Sequence, residues 1–292
     1  MTSGTQLKIH VVAGPTASGK SAFAMELAGR TPQPVIINAD SLQIYDGLST
    51  LTAQPSAADK AAVPHVLYGT LPPNDTCSAG NWQHMAAAAI EAAFAHGQTP
   101  IICGGTGLYI KALMEGLSPI PDIPPAVRQE VVALYDELGV PGFHEELKRR
   151  DPDMAARFHP GHKARLMRAM EVLIAAGKSL AEWQEAPPVP PPAHWVFEVH
   201  KIMPEREALY ARCNARLEAM MESGALDEVA AFKAQIESGA VNSGVPLTKA
   251  LGYKEFCQYL DGTMALDEAI TLAQGETRRY AKRQVTWFRH QL

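Results

Sequence analysis

Residues 14–21 read Gly-Pro-Thr-Ala-Ser-Gly-Lys-Ser, the full G-x-x-x-x-G-K-S pattern of a phosphate-binding loop. Gly14 and Gly19 let backbone N–H groups turn towards an anion, with Pro15, Thr16, Ala17 and Ser18 between them. Lys20 adds a point charge, and the Ser21 hydroxyl suits a hard divalent cation such as Mg²⁺. A diphosphate or triphosphate is the expected ligand. Residues 38–45, Asn-Ala-Asp-Ser-Leu-Gln-Ile-Tyr, carry two more candidates. Asp40 can act as a general base, join a magnesium shell, or simply cap a helix N-terminus, and Gln43 can read a base edge. Residues 104–109, Gly-Gly-Thr-Gly-Leu-Tyr, offer a second tight turn where backbone can approach a polyanion.

These strings need a scaffold that brings them together. Short β-branched runs at 8–13, 34–38, 65–68 and 99–103 predict strands, alternating with helical patterns at 19–29, 80–96 and 108–117. Such alternation implies a parallel sheet covered by helices on both faces, with Phe23 and Leu27 of the first helix facing in. Ligands of open parallel sheets gather beyond the C-terminal strand ends, where all three strings fall. From Ser118 the pattern changes: a proline-rich break at 118–125 precedes a stretch to about Glu185 with helical character only, and the prolines at 187–192 form a stiff connector. Residues 195–202 predict a strand that returns to the sheet. The expected organisation is thus an α/β phosphate-loop core, 1–117 with 191–292, and a helical insertion at 118–190.

Composition narrows the function classes. A chain of 292 residues, 47 % apolar and with a net charge of −5, is an ordinary globular protein. It has no signal-like segment or membrane-spanning run, so a cytoplasmic location without membrane association is expected. The four cysteines, Cys77, Cys103, Cys213 and Cys257, lie far apart and are expected to be small buried residues. Positive charge is nevertheless clustered. Lys148, Arg149, Arg150, Arg157, Lys163, Arg165 and Arg168 face only Asp151 and Asp153 within 147–168, and Arg278, Arg279, Lys282, Arg283 and Arg289 follow Glu276. Either cluster is a nucleic-acid contact or a solvated helix face.

The order of the strings carries a resemblance. The phosphate loop, Ala-Asp-Ser-Leu-Gln-Ile-Tyr (39–45), Gly-Gly-Thr-Gly-Leu-Tyr-Ile-Lys-Ala-Leu (104–113), Arg-Leu-Met-Arg-Ala-Met-Glu (165–171), Gly-Tyr-Lys-Glu-Phe (252–256) and Thr-Arg-Arg-Tyr-Ala-Lys-Arg-Gln-Val-Thr-Trp-Phe-Arg (277–289) together resemble the bacterial tRNA dimethylallyltransferase family nearly end to end. The resemblance implies a phosphate-loop fold and transfer of a dimethylallyl group from dimethylallyl diphosphate to N6 of adenine 37, beside the tRNA anticodon. By the same resemblance the loop 14–21 and Arg212 hold the diphosphate with Mg²⁺, Thr16 contacts it near the breaking bond, and Asp40 accepts the N6 proton. The resemblance also assigns Asp40, Ser41, Leu42 and Gln43 to the target nucleotide, Thr106 and Arg128 to nearby tRNA, and Ala164, Arg165, Leu166, Met167 and Arg168 to the anticodon stem-loop. A monomer is expected. Leu42, residues 159–165 and residues 49–52 depart from the family's usual strings, and the chain lacks the Cys/His finger of eukaryotic relatives, implying a bacterial or organellar type. An adenylate isopentenyltransferase, a small-molecule kinase and a non-catalytic RNA-binding module are the alternatives. Label transfer to AMP would mark the first and a nucleoside-triphosphate base pocket the second, while the third explains the basic faces but not Thr16, Lys20, Ser21 and Asp40 together.

Overall fold

A computed structural model of the chain describes residues 6–292. Five strands, β1 (Leu7–Ala13), β2 (Pro34–Asn38), β3 (His65–Val66), β4 (Thr99–Gly104) and β5 (Trp195–Lys201), form one parallel sheet in the order β3-β2-β4-β1-β5. Strand and helix alternate as the sequence implies: α1 (Lys20–Ala28), α2 (Ala57–Ala62), α3 (Ala79–Ala95) and α4 (Gly107–Glu115) occupy the connections. The third strand is shorter than expected, because Leu67 takes φ 63°, a left-handed conformation that ends the extended run.

Period-two alternation sorts the central strands. Ile9, Val11, Ala13, Ile37 and Ile102 enter one core with Trp82, Ile90 and Phe288, while Val12, Ile36, Ile101 and Cys103 meet α1 on the other face. On α1 the deepest contacts are Ala24 and Ala28, with Phe23 and Leu27 only partly covered, so small side chains set the close approach of helix to sheet. The C-terminal third supplies α9 (Arg206–Glu222), α10 (Ala225–Glu237), α11 (Tyr253–Leu260) and the long α12 (Leu266–Gln291).

The chain divides into two compact units, one of residues up to Met114 with Pro191–Leu292, the other Glu115–Pro190. The second unit contains α5 (Pro125–Arg150), α6 (Pro152–Arg157), α7 (Lys163–Ala176) and α8 (Leu180–Glu185) around its own core of Val131, Tyr135, Phe143, Leu147, Leu166 and Met170. Helix α5 breaks at Gly139 (φ 65°), after which Pro141 opens a new run in the first turn, where its missing N–H costs nothing. Buried Asp151 ties this unit together, accepting from the Met154 N–H at 3.1 Å and from the Ser179 hydroxyl at 2.7 Å. The 187–192 segment is more than a connector: Val189 donates its N–H to the Leu117 carbonyl at 3.0 Å in an antiparallel bridge.

Candidate active site

The loops after β1, β2 and β4 converge at the C-terminal edge of the sheet. In the phosphate loop the chain turns through Ala17 (φ 59°) and Gly19 (φ 94°), and α1 starts at Lys20. A left-handed alanine is uncommon, and a run of turned amides of this kind makes an anion nest. Gly14 must be glycine because a Cβ there would meet the Ile202 carbonyl oxygen at 2.5 Å. The Ser18 hydroxyl is buried and unpartnered within the described residues, a polar group left for a ligand. Burial lowers the Lys20 pKa, an effect opposed by the nearby Cys103 and Asp40. Arg212 donates to the Ser18 carbonyl at 2.9 Å, which places its guanidinium beside the loop.

Two groups that sequence reasoning missed complete this end. Arg216, one turn beyond Arg212 on α9, donates to the Thr16 hydroxyl, and burial lowers its pKa as well. Gln284 of α12 is buried between two loops: its Oε1 accepts from the Thr16 N–H at 2.8 Å, and its Nε2 donates to the Gly105 carbonyl at 2.8 Å. The four-residue step from Arg212 to Arg216 was readable as one helix face. Nothing local distinguishes Gln284 from its basic neighbours. Lysine and arginine pressed together in a partly desolvated loop favour an anion between them.

Asp40 heads no helix. Its Oδ1 accepts from the Leu42 N–H at 3.0 Å in an Asx turn, and Asn38 fixes the bend by accepting from the Asp40 N–H at 2.8 Å. The helix-cap expectation is therefore replaced by a turn. Ser41 is held through Thr106, whose hydroxyl accepts the Ser41 N–H at 2.9 Å and itself donates to the Ser41 oxygen at 3.3 Å. Gln43 donates both amide hydrogens to the carbonyls of Thr52 and Ala53, at 2.7 and 2.9 Å, so only its Oε1 remains for a base. The second glycine turn packs against protein: a Cβ at Gly104 would meet Ala39 at 2.1 Å, and one at Gly107 the Trp287 ring at 2.2 Å. Close packing against the backbone that follows β2 and against α12, not approach to a polyanion, explains those glycines.

A cleft of about 530 Å³ opens beside these groups. Thr16, Asp40, Ser41 and Arg216 line one part, Leu42, Leu51, Leu217, Met220 and Leu251 give apolar wall, and Tyr280 and Arg283 add α12. Burial pushes the Tyr280 hydroxyl up to about 12, so it is a neutral donor at working pH. Cys213 also lines this cleft; Cys103 is buried, with burial raising its pKa to about 11, whereas Cys77 and Cys257 are only half-buried, contrary to expectation.

In the helical unit, Ala164 and Arg165 are exposed on α7 and Arg168 is half-exposed, but Leu166 is fully buried and Met167 packs on the same core. The side chains of these two residues build the helix's inner face. Four of the seven basic residues in this stretch pair locally: Lys148 with Glu145 (3.7 Å), Arg149 and Arg150 with Glu146 (2.7 and 2.5 Å), and Arg168 with Glu171 (3.7 Å). Among the described residues Arg157, Lys163 and Arg165 are in no ion pair, and Arg128 has a buried, unpartnered Nε.

Sheet order, loop and cleft define a phosphate-loop-type α/β protein. The family model described as "IPP transferase" matches residues 43–291, and that described as "Isopentenyl transferase" matches 7–67. The tRNA dimethylallyltransferase of Rhodospirillum centenum is 49 % identical over 97 % of this chain and 89 % of its own, and that of Paramagnetospirillum magneticum 50 % over 100 % and 90 %. The crystal structure of the full-length tRNA isopentenylpyrophosphate transferase of Bacillus halodurans aligns with TM-score 0.66 at 32 % identity, covering 98 % and 88 %. A eukaryotic dimethylallyltransferase acting on tRNA reaches TM-score 0.82 over 97 % and 70 %, and at 24 % identity speaks to the fold alone. The chain belongs to the IPP transferase family, and it is a transferase. No helix among the described residues is long and apolar enough to cross a membrane.

Proposed function

We propose that the chain transfers a dimethylallyl group from dimethylallyl diphosphate to N6 of adenine 37 of tRNA. One observation carries this reading within the family: a carboxylate, Asp40, and the Thr16 hydroxyl line the same cleft with apolar wall beside the phosphate loop. A kinase has no need of apolar wall beside its phosphates, whereas a five-carbon chain does.

In this reading the bond from N6 to C1 of the dimethylallyl group forms as the C1–O bond to diphosphate breaks. Lys20, Arg212 and the loop amides of Ala17 and Gly19 take up the charge that develops on the leaving diphosphate. Arg216 fixes the Thr16 hydroxyl near the breaking bond. The N6 lone pair is delocalised into the ring, so the amine must lose a proton as it attacks, and Asp40 accepts it. The Leu42 N–H on Oδ1 orients that carboxylate. The donor set fits Mg²⁺: Ser21, beside Lys20, offers a hard hydroxyl oxygen on an exposed residue, and Mg²⁺ binds through few protein ligands plus phosphate oxygens. When bound, Mg²⁺ would screen charge on the diphosphate. Ser41, Leu42, the Gln43 Oε1 and Thr106 face the target nucleotide, and Arg128, Arg165 and Arg168 contact the anticodon stem-loop, with Ala164, Leu166 and Met167 shaping that helix. The enzyme acts as a cytoplasmic monomer.

The test is incubation with Mg²⁺, radiolabelled dimethylallyl diphosphate and, in parallel, an anticodon stem-loop bearing adenine 37, the same loop with guanine there, and AMP. Label entering only the adenine loop is expected. Label on AMP would reassign the acceptor, and no transfer to any of them would refute the reading.

A further inference from the structure

At the outer edge of the sheet, three side chains sit where the strands need only apolar packing. His10 lies in the middle of β1, 8 % exposed, in register with Glu198 of β5, and His200 is in register with Val12. Period-two alternation therefore puts His10, Glu198 and His200 on one face, the one that carries α1. The His10 Nδ1 is 3.2 Å from the His200 Nε2 and 3.8 Å from the Glu198 Oε2, and the His200 Nε2 is 3.5 Å from the Glu198 Oε1. A tetrahedral ion with ligand bonds near 2.0–2.1 Å holds its donors ~3.3–3.4 Å apart, close to the spacings of His200 Nε2 from His10 Nδ1 and from Glu198 Oε1. His10 meets the carboxylate through its other oxygen, Oε2, and one atom from each of the three residues lies within 4.8 Å of the others, so a turn of the carboxylate is needed to close the triangle on a single oxygen.

The surroundings orient these donors. Lys8 holds the Glu198 Oε2 at 2.9 Å, which leaves Oε1 turned to His200 and plays the part of an outer partner to a ligating carboxylate. The His200 ring stacks on His10 and packs against Phe23 of α1, each with centroids 5.4 Å apart, so its rotamer is fixed from both sides. We infer that His10, Glu198 and His200 form a binding site for a divalent metal ion of the Zn²⁺ class, with a fourth position left for water. Two imidazoles and one carboxylate favour Zn²⁺ or Co²⁺ over Mg²⁺, which prefers an all-oxygen shell. The site is separate from the diphosphate loop and acts as a clamp. It ties edge strand β5 to β1 just ahead of the point where the Ile202 N–H donates to the Ala13 carbonyl at 2.8 Å and Gly14 opens the loop.

The full chain, free of any tag and stripped with a chelator, is titrated with Co²⁺ and with Zn²⁺, reading visible absorbance, heat of binding and Tm. The expected result is a single equivalent bound with the absorption of four-coordinate N/O ligation, and a rise in Tm with Zn²⁺. His200→Ala and Glu198→Gln should each weaken binding more than about tenfold and abolish the Zn²⁺-dependent rise in Tm, while Lys8→Ala weakens it less. Equal affinity in wild type and both variants would overturn the site, as would no binding to wild type at submillimolar metal. Intense near-ultraviolet thiolate bands unchanged by His200→Ala would assign the metal to cysteine and also overturn it. Glu198 is partly exposed, so Glu198→Gln keeps the test decisive even if His200→Ala fails to fold.

Discussion

The two compact units handle charge in opposite ways. In the sheet-containing unit, the polar groups around the phosphate loop find partners far away in sequence: Gln284 reaches Thr16 across 268 residues, Arg216 reaches it across 200, and Arg212 reaches Ser18 across 194. In the helical unit, the cations that do pair reach only three or four residues away, as Arg149 and Arg150 do with Glu146. The first arrangement fixes donors before a ligand arrives, which suits stabilisation of charge that develops during a reaction. The second leaves flexible, solvated cations whose pairs are worth little, which suits a phosphate backbone that can exchange partners with them.

Substitutions can break this contrast. The largest effect is expected for Asp40→Ala, with kcat lowered by on the order of 10²–10⁴ and little change in RNA affinity, measured by single-turnover transfer beside a binding isotherm. Unchanged turnover would remove Asp40 from the chemistry. Gln284→Ala leaves the Thr16 N–H and the Gly105 carbonyl unpaired in a buried place, at about 1–3 kcal/mol for each orphaned group. Denaturant unfolding should report that loss, and calorimetry should find weaker binding of the diphosphate donor; if both are unaltered, the loop is not pre-set by α12.

On the helical side the effects are smaller. Arg165→Ala should weaken anticodon stem-loop binding and reduce the slope of log affinity against log salt by about 0.7–0.9, with donor binding untouched. Identical isotherms across a salt series would make α7 a solvated surface only. Smallest of all, Arg149→Ala should leave Tm unchanged and shift only the titration of its partner. Hydrogen bonds from Arg149 and Arg150 hold the Glu146 carboxyl down at about 2, against an ordinary 4.5. Its folded pKa is depressed, so this pairing is present above pH 4.5 and is lost as pH falls towards 2; carbon-detected NMR of the variant should show Glu146 titrating higher.

Much of the fold was readable because its signals are local. The phosphate loop, the alternation that implies a parallel sheet, and the helical character of 125–185 all follow from neighbouring residues. Strand bounds were legible except at β3, where one left-handed residue, Leu67, ends the run without a glycine to announce it. The basic cluster from Lys148 looked stronger in sequence than in space, since Glu145 and Glu146 lie just before it and neutralise its first turn.

The sequence by itself determined the phosphate loop, the parallel α/β architecture and the family, because backbone geometry and hydrophobic period are written within a few residues. Only the tertiary structure decided that Gln284 and Arg216 brace Thr16, that Gln43 spends its amide hydrogens on its own backbone, and that the Gly104 turn exists for packing. Each of these is a choice among many hydrogen-bond or packing partners of similar strength. Which of them meet is fixed only when the sheet and its helices bury their apolar faces and bring distant residues into contact.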